Sequence, residues 1–194
     1  MNSHHPAKAG EFSVRLKLRS VVALGKYIAE SPDILPEVAG AFSSHRRRTT
    51  LVVERSGKRK ERPLYIADDT LGRIQKKIDK MILKKVPLPP CIHGYRQGHS
   101  PYTNAKAHAG HHMVGKHDLR NHYPNIHHAS VYALYSRLGS SATVASILTR
   151  LTTDDAHIPQ GFSTSPSLSN LITANLARRL EGMGASIQAV STMY

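Results

Sequence analysis

The chain has 194 residues, enough for one domain of ordinary size, and 40% of them are hydrophobic, so a buried core can form. Twenty-seven lysines and arginines stand against 13 acidic residues, a net charge of +14, which points to a polyanion partner, most often nucleic acid, with an inert basic surface as the alternative. The single cysteine, Cys91, excludes a disulfide framework. No apolar run is long enough to span a bilayer and "MNSHHPAKAGEF" has no signal-peptide core, so a cytosolic protein with no membrane partner is expected.

Residues 14–30 carry helical periodicity, with Leu18, Val21, Leu24 and Ile28 on one side. "SPDILPEVAG" breaks it. Residues 50–54 and 64–66 are β-rich and flank the basic turn "RSGKRK", which predicts a hairpin with cations at its tip. A helix follows, capped by Asp69 or Thr70, with Leu71, Ile74, Ile78, Met81 and Ile82 inside and Pro87 ending it. "VPLPPCIHGYRQGHSPYTN" reads as loop and "HMVGKHDL" as a short strand. After Pro124, helical periodicity runs from His127 to Leu138, breaks at Gly139 and resumes to about Leu151. "TTDDAHIPQGFSTSPS" is loop. Ser165-Pro166 caps and opens a helix that buries Leu168, Leu171, Ile172, Leu176 and Leu180 and ends near Glu181. "IQAVSTMY" alternates like a strand. Mixed strands and helices predict an α+β protein.

Four segments, in this order, resemble the reverse transcriptases. They are "RSGKRKERPLYIADDTLGRIQKKIDKMIL", "HGYRQGHSPYTNAKAH", "HDLRNHYPNI" and "PQGFSTSPSLSNLI", and together they cover roughly residues 50–194. Within "TNAKAH", Asn104 to His108 fits the N-A-x-x-H element of the retron type, which places that type ahead of the group II intron type.

The resemblance implies a polymerase right-hand fold. Residues 1–40 would be a basic helical extension, 41–112 fingers, and 113–194 a partial palm with interleaved fingers helices, with no thumb. It implies RNA-directed DNA synthesis on a structured non-coding RNA, from deoxynucleotides, with two Mg2+ ions in the complete enzyme. Phage defence and a retron effector protein are implied partners of that activity. Two-metal nucleotidyl transfer needs clustered carboxylates. Asp118 resembles the first metal ligand; a surface aspartate at a strand end is the alternative. Tyr123 resembles the aromatic gate against a ribose 2′-hydroxyl, although His122 stands where phenylalanine is commoner. Gln160 and Gly161 of "PQG" would lie at the incoming nucleotide, with glycine allowing close backbone approach. Asn170 completes the "SPxxxN" pattern. Arg62 resembles the triphosphate-binding arginine and Arg55 its partner on the other arm, since guanidinium suits bidentate phosphate contact. Ala67 stands where the family often has proline. Arg96 would contact the template backbone, with Asn104 and His108 also at the RNA; His108 either touches RNA or buttresses the fold.

"YIADD" imitates the Y-x-D-D signature, but two residues separate Tyr65 from Asp68, so it reads as helix capping. Asp154-Asp155 reads as a solvated turn. The histidine spacing fits no zinc pattern. Tyr194 falls about where the signature tyrosine belongs, so the sequence is expected to lack the following aspartate pair and to be inactive alone. The rival expectations are a non-catalytic RNA-binding module and one half of a split polymerase.

Overall fold

The computed structural model describes residues 14–55 and 58–194, apart from the side chains of Arg55 and Lys58 at the hairpin tip. Among the described residues there are seven α-helices and one two-stranded antiparallel sheet, which makes the chain α+β.

Helix α1 covers Val21–Ile28, shorter than the periodicity predicts. Ser20 caps it by accepting from the Ala23 N–H at 3.1 Å, and the backbone before it is committed elsewhere. The Leu16 N–H donates to the Leu138 carbonyl and the Leu18 carbonyl accepts from Ser141. Ala29 closes α1 in the left-handed region at φ 54°. The supposed breaker then forms a second helix, α2 (Ile34–Gly40). Pro36 is tolerated there because the first-turn N–H groups have no intrahelical partner.

Strands β1 (Arg46–Arg55) and β2 (Lys58–Ala67) form the predicted hairpin, longer than its β-rich centre. Arg46 lies opposite Ala67, and Leu51 opposite Arg62. Most of its side chains, Leu51, Val52 and Val53 included, are exposed, so only its foot is packed on the body.

Helix α3 (Asp69–Met81) has Asp68 as its cap, not Asp69 or Thr70. The Asp68 carboxylate accepts from the Leu71 N–H at 2.8 Å, and Asp69 takes the first-turn position that suits the dipole. Leu71, Ile74 and Ile78 of α3, with Ile82 just past its end, are all fully buried; each such side chain contributes about 1.5–3 kcal/mol relative to exposure. The expected loop holds a further short helix, α4 (Pro101–Lys106), closed by a capping box between Ser100 and Thr103. Helices α5 (His128–Arg137) and α6 (Ala142–Thr152) follow the predicted pattern around Gly139. Helix α7 runs over Ser165–Ser186, beyond Glu181, and Thr164 precedes it without a side-chain cap. One contiguous core joins Leu24, Leu35, Ile74, Val131, Leu148, Ile158 and Leu168.

Two expected strands do not form. Residues 112–119 are exposed and join no sheet, and β propensity without a partner strand specifies little. The last segment turns at Ile187 and Gln188 and makes a single parallel bridge, Met193 with Ile92.

Candidate nucleotide and nucleic-acid interface

The four motif segments are tied together by hydrogen bonds that radiate from the start of α7. Ser165 and Ser169 share a helix face at i, i+4 spacing, with Asn170 beside them. The buried Ser165 hydroxyl donates to the Pro159 carbonyl at 2.6 Å and so holds the P-Q-G turn. The Ser169 hydroxyl meets Nε2 of His122 at 2.6 Å, which fixes the "HDLRNHYPNI" turn. The Asn170 amide donates to the Gly94 carbonyl at 2.8 Å, which fixes the "HGYRQG" loop. The first turns of α7 thus present three polar side chains to three loops.

The hairpin joins through its second strand. The Tyr65 N–H donates to the Gln160 carbonyl at 2.8 Å. Gly161 has φ +107°, and a Cβ there would stand 2.2 Å from the Tyr65 carbonyl oxygen, so glycine lets the turn lie against the strand. Arg62 is exposed on that strand three residues before Tyr65. The P-Q-G turn thus lies against β2 at Leu64 and Tyr65, two to three residues along the strand from Arg62. The side chain of Arg55 lies outside the described residues.

Tyr123 sits in the turn over residues 120–125, and Asp118 lies just before it. Asp118 is exposed. Burial lowers the pKa of His122 below its ordinary value, and the Asp118 charge opposes that only in part. Tyr123 packs partly against the core; burial, then the nearby Tyr95, pushes its hydroxyl well above the usual range. Tyr123 is therefore a neutral, fixed aromatic at neutral pH.

The template-side residues are more inward than the sequence implies. Arg96 donates through Nη1 to the Pro89 carbonyl at 3.0 Å and the Ile92 carbonyl at 3.3 Å. Asn104 lies in α4 with its Oδ1 buried. His108 meets the Thr192 hydroxyl through Nε2 at 2.7 Å, a contact of the buttressing kind. Burial lowers the pKa of His93, with His99, Arg96 and His108 adding to the shift. The segment ending at Tyr194 lies along this loop: Met193 donates to the Cys91 carbonyl and accepts from His93 and Gly94.

Sequence reasoning missed Asn170 as a tether, Ser169 and the role of Tyr65. It read Asp154-Asp155 as a solvated turn, and Asp154 is instead buried at 8% exposure and paired with Arg46 at 2.9 Å. Only the "SPxxxN" spacing carried a signal for any of these. "YIADD" is a cap, as read.

No protein-family model matches the chain. Curated proteins do. It is 34% identical over 139 residues to the Retron Se72 reverse transcriptase of Salmonella heidelberg (strain 579083-10), covering 69% of this chain and 37% of that protein. It is 31% identical over 178 residues to the Retron Mx65 reverse transcriptase of Myxococcus xanthus, covering 79% and 41%. It is 28% identical over 154 residues to the Retron Ec86 reverse transcriptase of Escherichia coli, covering 79% and 48%. Most of this chain is homologous to the retron reverse transcriptases. The chain spans under half the length of each of these relatives.

Reverse transcriptases imply Mg2+ for the complete enzyme. Hard cations want several oxygen ligands. Among the described residues no group of three or more His, Cys, Asp or Glu is placed to hold a metal ion. The donors at hand therefore do not fit a two-ion site, and Asp118 is the carboxylate that the motif supplies. No helix of the described residues is long and apolar enough to cross a membrane.

Proposed function

We propose that this chain is the nucleotide- and RNA-binding portion of a retron-type RNA-directed DNA polymerase. The observation that carries the reading is the set of hydrogen bonds from Ser165, Ser169, Asn170 and Tyr65, which ties all four motif segments into one surface. In this reading residues 41–112 serve as fingers and 113–194 as part of a palm. Arg62 is assigned to the triphosphate, and so is Arg55, which the register sets opposite Lys58 rather than opposite Arg62. Gln160 and Gly161 form the floor under the sugar and base. The neutral ring of Tyr123, packed partly against the core, excludes a 2′-hydroxyl. Asp118 is the first of the carboxylates that metal-dependent transfer requires. Arg96, Asn104 and His108 order the loop beside the template rather than reach for it.

The partners are a structured RNA serving as template and primer, deoxynucleotides and a DNA product, in a cytoplasmic setting. The retron effector and a role in phage defence follow the family.

The test is binding by the 194-residue chain. A fluorescent deoxynucleotide is titrated in the presence of an RNA duplex with a recessed end. Binding that weakens at least tenfold in Arg62→Ala and in Gln160→Ala supports the reading. Equal affinity for both variants rejects it. Primer extension by the same chain is expected to be absent, since the donors among its described residues do not form a two-ion site; measurable extension would overturn that part. A second reading, an RNA-binding module without catalysis, is favoured by the exposed cations Arg47, Arg48, Arg59, Lys60 and Arg62 on one hairpin. It predicts RNA binding with no deoxynucleotide site.

A further inference from the structure

The hairpin stands on a small foot. Each strand has ten residues, so at a rise of about 3.4 Å per residue the tip lies roughly 30 Å from Arg46, and Arg62 about 10 Å out from Tyr65. Angular play of about 5° at the foot would move Arg62 by about 1 Å, and a misplacement of about 1 Å is enough to cost a reaction a hundredfold. Something must fix that angle.

The residues at the foot form a connected cluster. Arg46 opens β1 and pairs with Asp154: Nη2 donates to Oδ1 at 3.2 Å, and Nε stands 2.9 Å from Oδ2 as an ion pair without hydrogen-bond geometry. The Asp154 side chain is 6% exposed and that of Arg46 24%. The Tyr65 hydroxyl donates to Oδ2 of Asp155 at 3.3 Å. The guanidinium carbons of Arg46 and Arg48 lie 5.9 and 5.8 Å from the Tyr65 ring centroid. The Tyr65 ring also meets His157 and Phe162 edge to face. Asp154 and Asp155 belong to the loop that runs directly into Pro159, Gln160 and Gly161. The cluster thus joins the hairpin foot to the base of the P-Q-G turn.

A pair buried this far is a poor source of stability. Desolvation offsets its Coulomb attraction, whereas breaking it leaves a charge stranded. Its value lies in defining one arrangement. We infer that Arg46–Asp154, with Tyr65–Asp155, is a clasp that sets the angle of the basic hairpin against the P-Q-G turn. Arg46, Tyr65, Asp154 and Asp155 are then positioning residues that touch no nucleotide. The consequence for substrate rests on the nucleotide reading above; the clasp itself does not.

Two measurements on the 194-residue chain test it. Spin labels at Glu54→Cys and Ser163→Cys, in a Cys91→Ala background, report the hairpin-to-turn distance. Amide exchange at Tyr65 reports its bond to Gln160. Arg46→Gln and Asp154→Asn should each broaden the distance distribution by several ångströms and speed Tyr65 exchange at least tenfold. The swap Arg46→Asp with Asp154→Arg should restore both toward the parent. Tyr65→Phe, which removes only the hydroxyl, should give a smaller change in the same direction and serves if the charge variants fail to fold. Unchanged distances and exchange in every folded single variant would overturn the clasp. Deoxynucleotide affinity should fall at least tenfold in step with the broadening; affinity lost without broadening would also overturn it. If the parent chain binds no deoxynucleotide, the nucleotide reading fails, and the distance and exchange results still decide the clasp.

Discussion

Replacing Gly161 by alanine tests the contact between the hairpin and the P-Q-G turn at its tightest point. The backbone there has φ +107°, and the added Cβ would meet the Tyr65 carbonyl oxygen at 2.2 Å and a Leu64 methyl at 3.0 Å. A positive φ costs an L-residue about 1–2 kcal/mol. The 2.2 Å approach is to backbone, so the strand must move, and the Tyr65 N–H to Gln160 carbonyl bond at 2.8 Å is the first to go. Losing it adds about 1 kcal/mol, or up to about 3 if the groups stay dry. The sum is about 2–5 kcal/mol. Urea denaturation followed by circular dichroism reads it. With a slope of about 1–3 kcal/mol per molar urea, the midpoint should fall by at least about 0.7 M. A midpoint within about 0.2 M of the parent, with Tyr65 exchange unchanged, would refute the packing described here.

Other expectations follow from single contacts. Asn170→Ala leaves the Gly94 carbonyl without its donor in a buried site; it should destabilise by about 1–3 kcal/mol in urea and speed amide exchange across residues 92–99. The carboxyls of Asp68 and Glu30 are lowered in the folded chain. Burial pushes both up, but the Leu71 N–H and His45 outweigh it for Asp68, and Lys77 and Arg73 for Glu30. Their contribution is therefore complete above the ordinary values of 3.8 and 4.5 and is lost as pH falls through the lower folded values; thermal midpoints of Asp68→Asn should show a weaker acid dependence than those of the parent. Burial, then Glu181, pushes the Cys91 thiol up to about 11, so the native chain should resist a thiol reagent at pH 8 and react once unfolded. RNA binding should fall linearly with the logarithm of salt concentration, and replacing Arg59, Lys60 and Arg62 by glutamine should flatten the slope by about 2 units for single-stranded RNA.

The parts legible in the sequence are those whose signal is local. Leu71, Ile74 and Ile78 repeat at helical spacing and are buried together. The alternation around "RSGKRK" marks the hairpin because both arms are adjacent in the chain. The motif segments were recognisable because each is a short run with a fixed pattern. What was hidden depends on partners far along the chain. Residues 14–20 have helical periodicity, yet their carbonyl and amide groups bond to Leu138 and Ser141 instead. "HMVGKHDL" and "IQAVSTMY" alternate like strands but have no flanking strand to join, and β propensity without a neighbour specifies little. Asp154 looked solvated because Arg46, 108 positions earlier, gives no sign in the local text that it lies over it. Asn170 belonged to a visible pattern, but its target, the Gly94 carbonyl, could only be seen in the fold.

The most direct test of the central claim is photocrosslinking of an azido-deoxynucleotide to the 194-residue chain with an RNA duplex present, followed by mass-spectrometric mapping. Crosslinks confined to residues 62–65, 121–123 and 160–161, and competed by unmodified deoxynucleotide, are the predicted result. Crosslinks scattered over the basic surface, or none that deoxynucleotide competes, would contradict the claim that these segments form one nucleotide-binding surface.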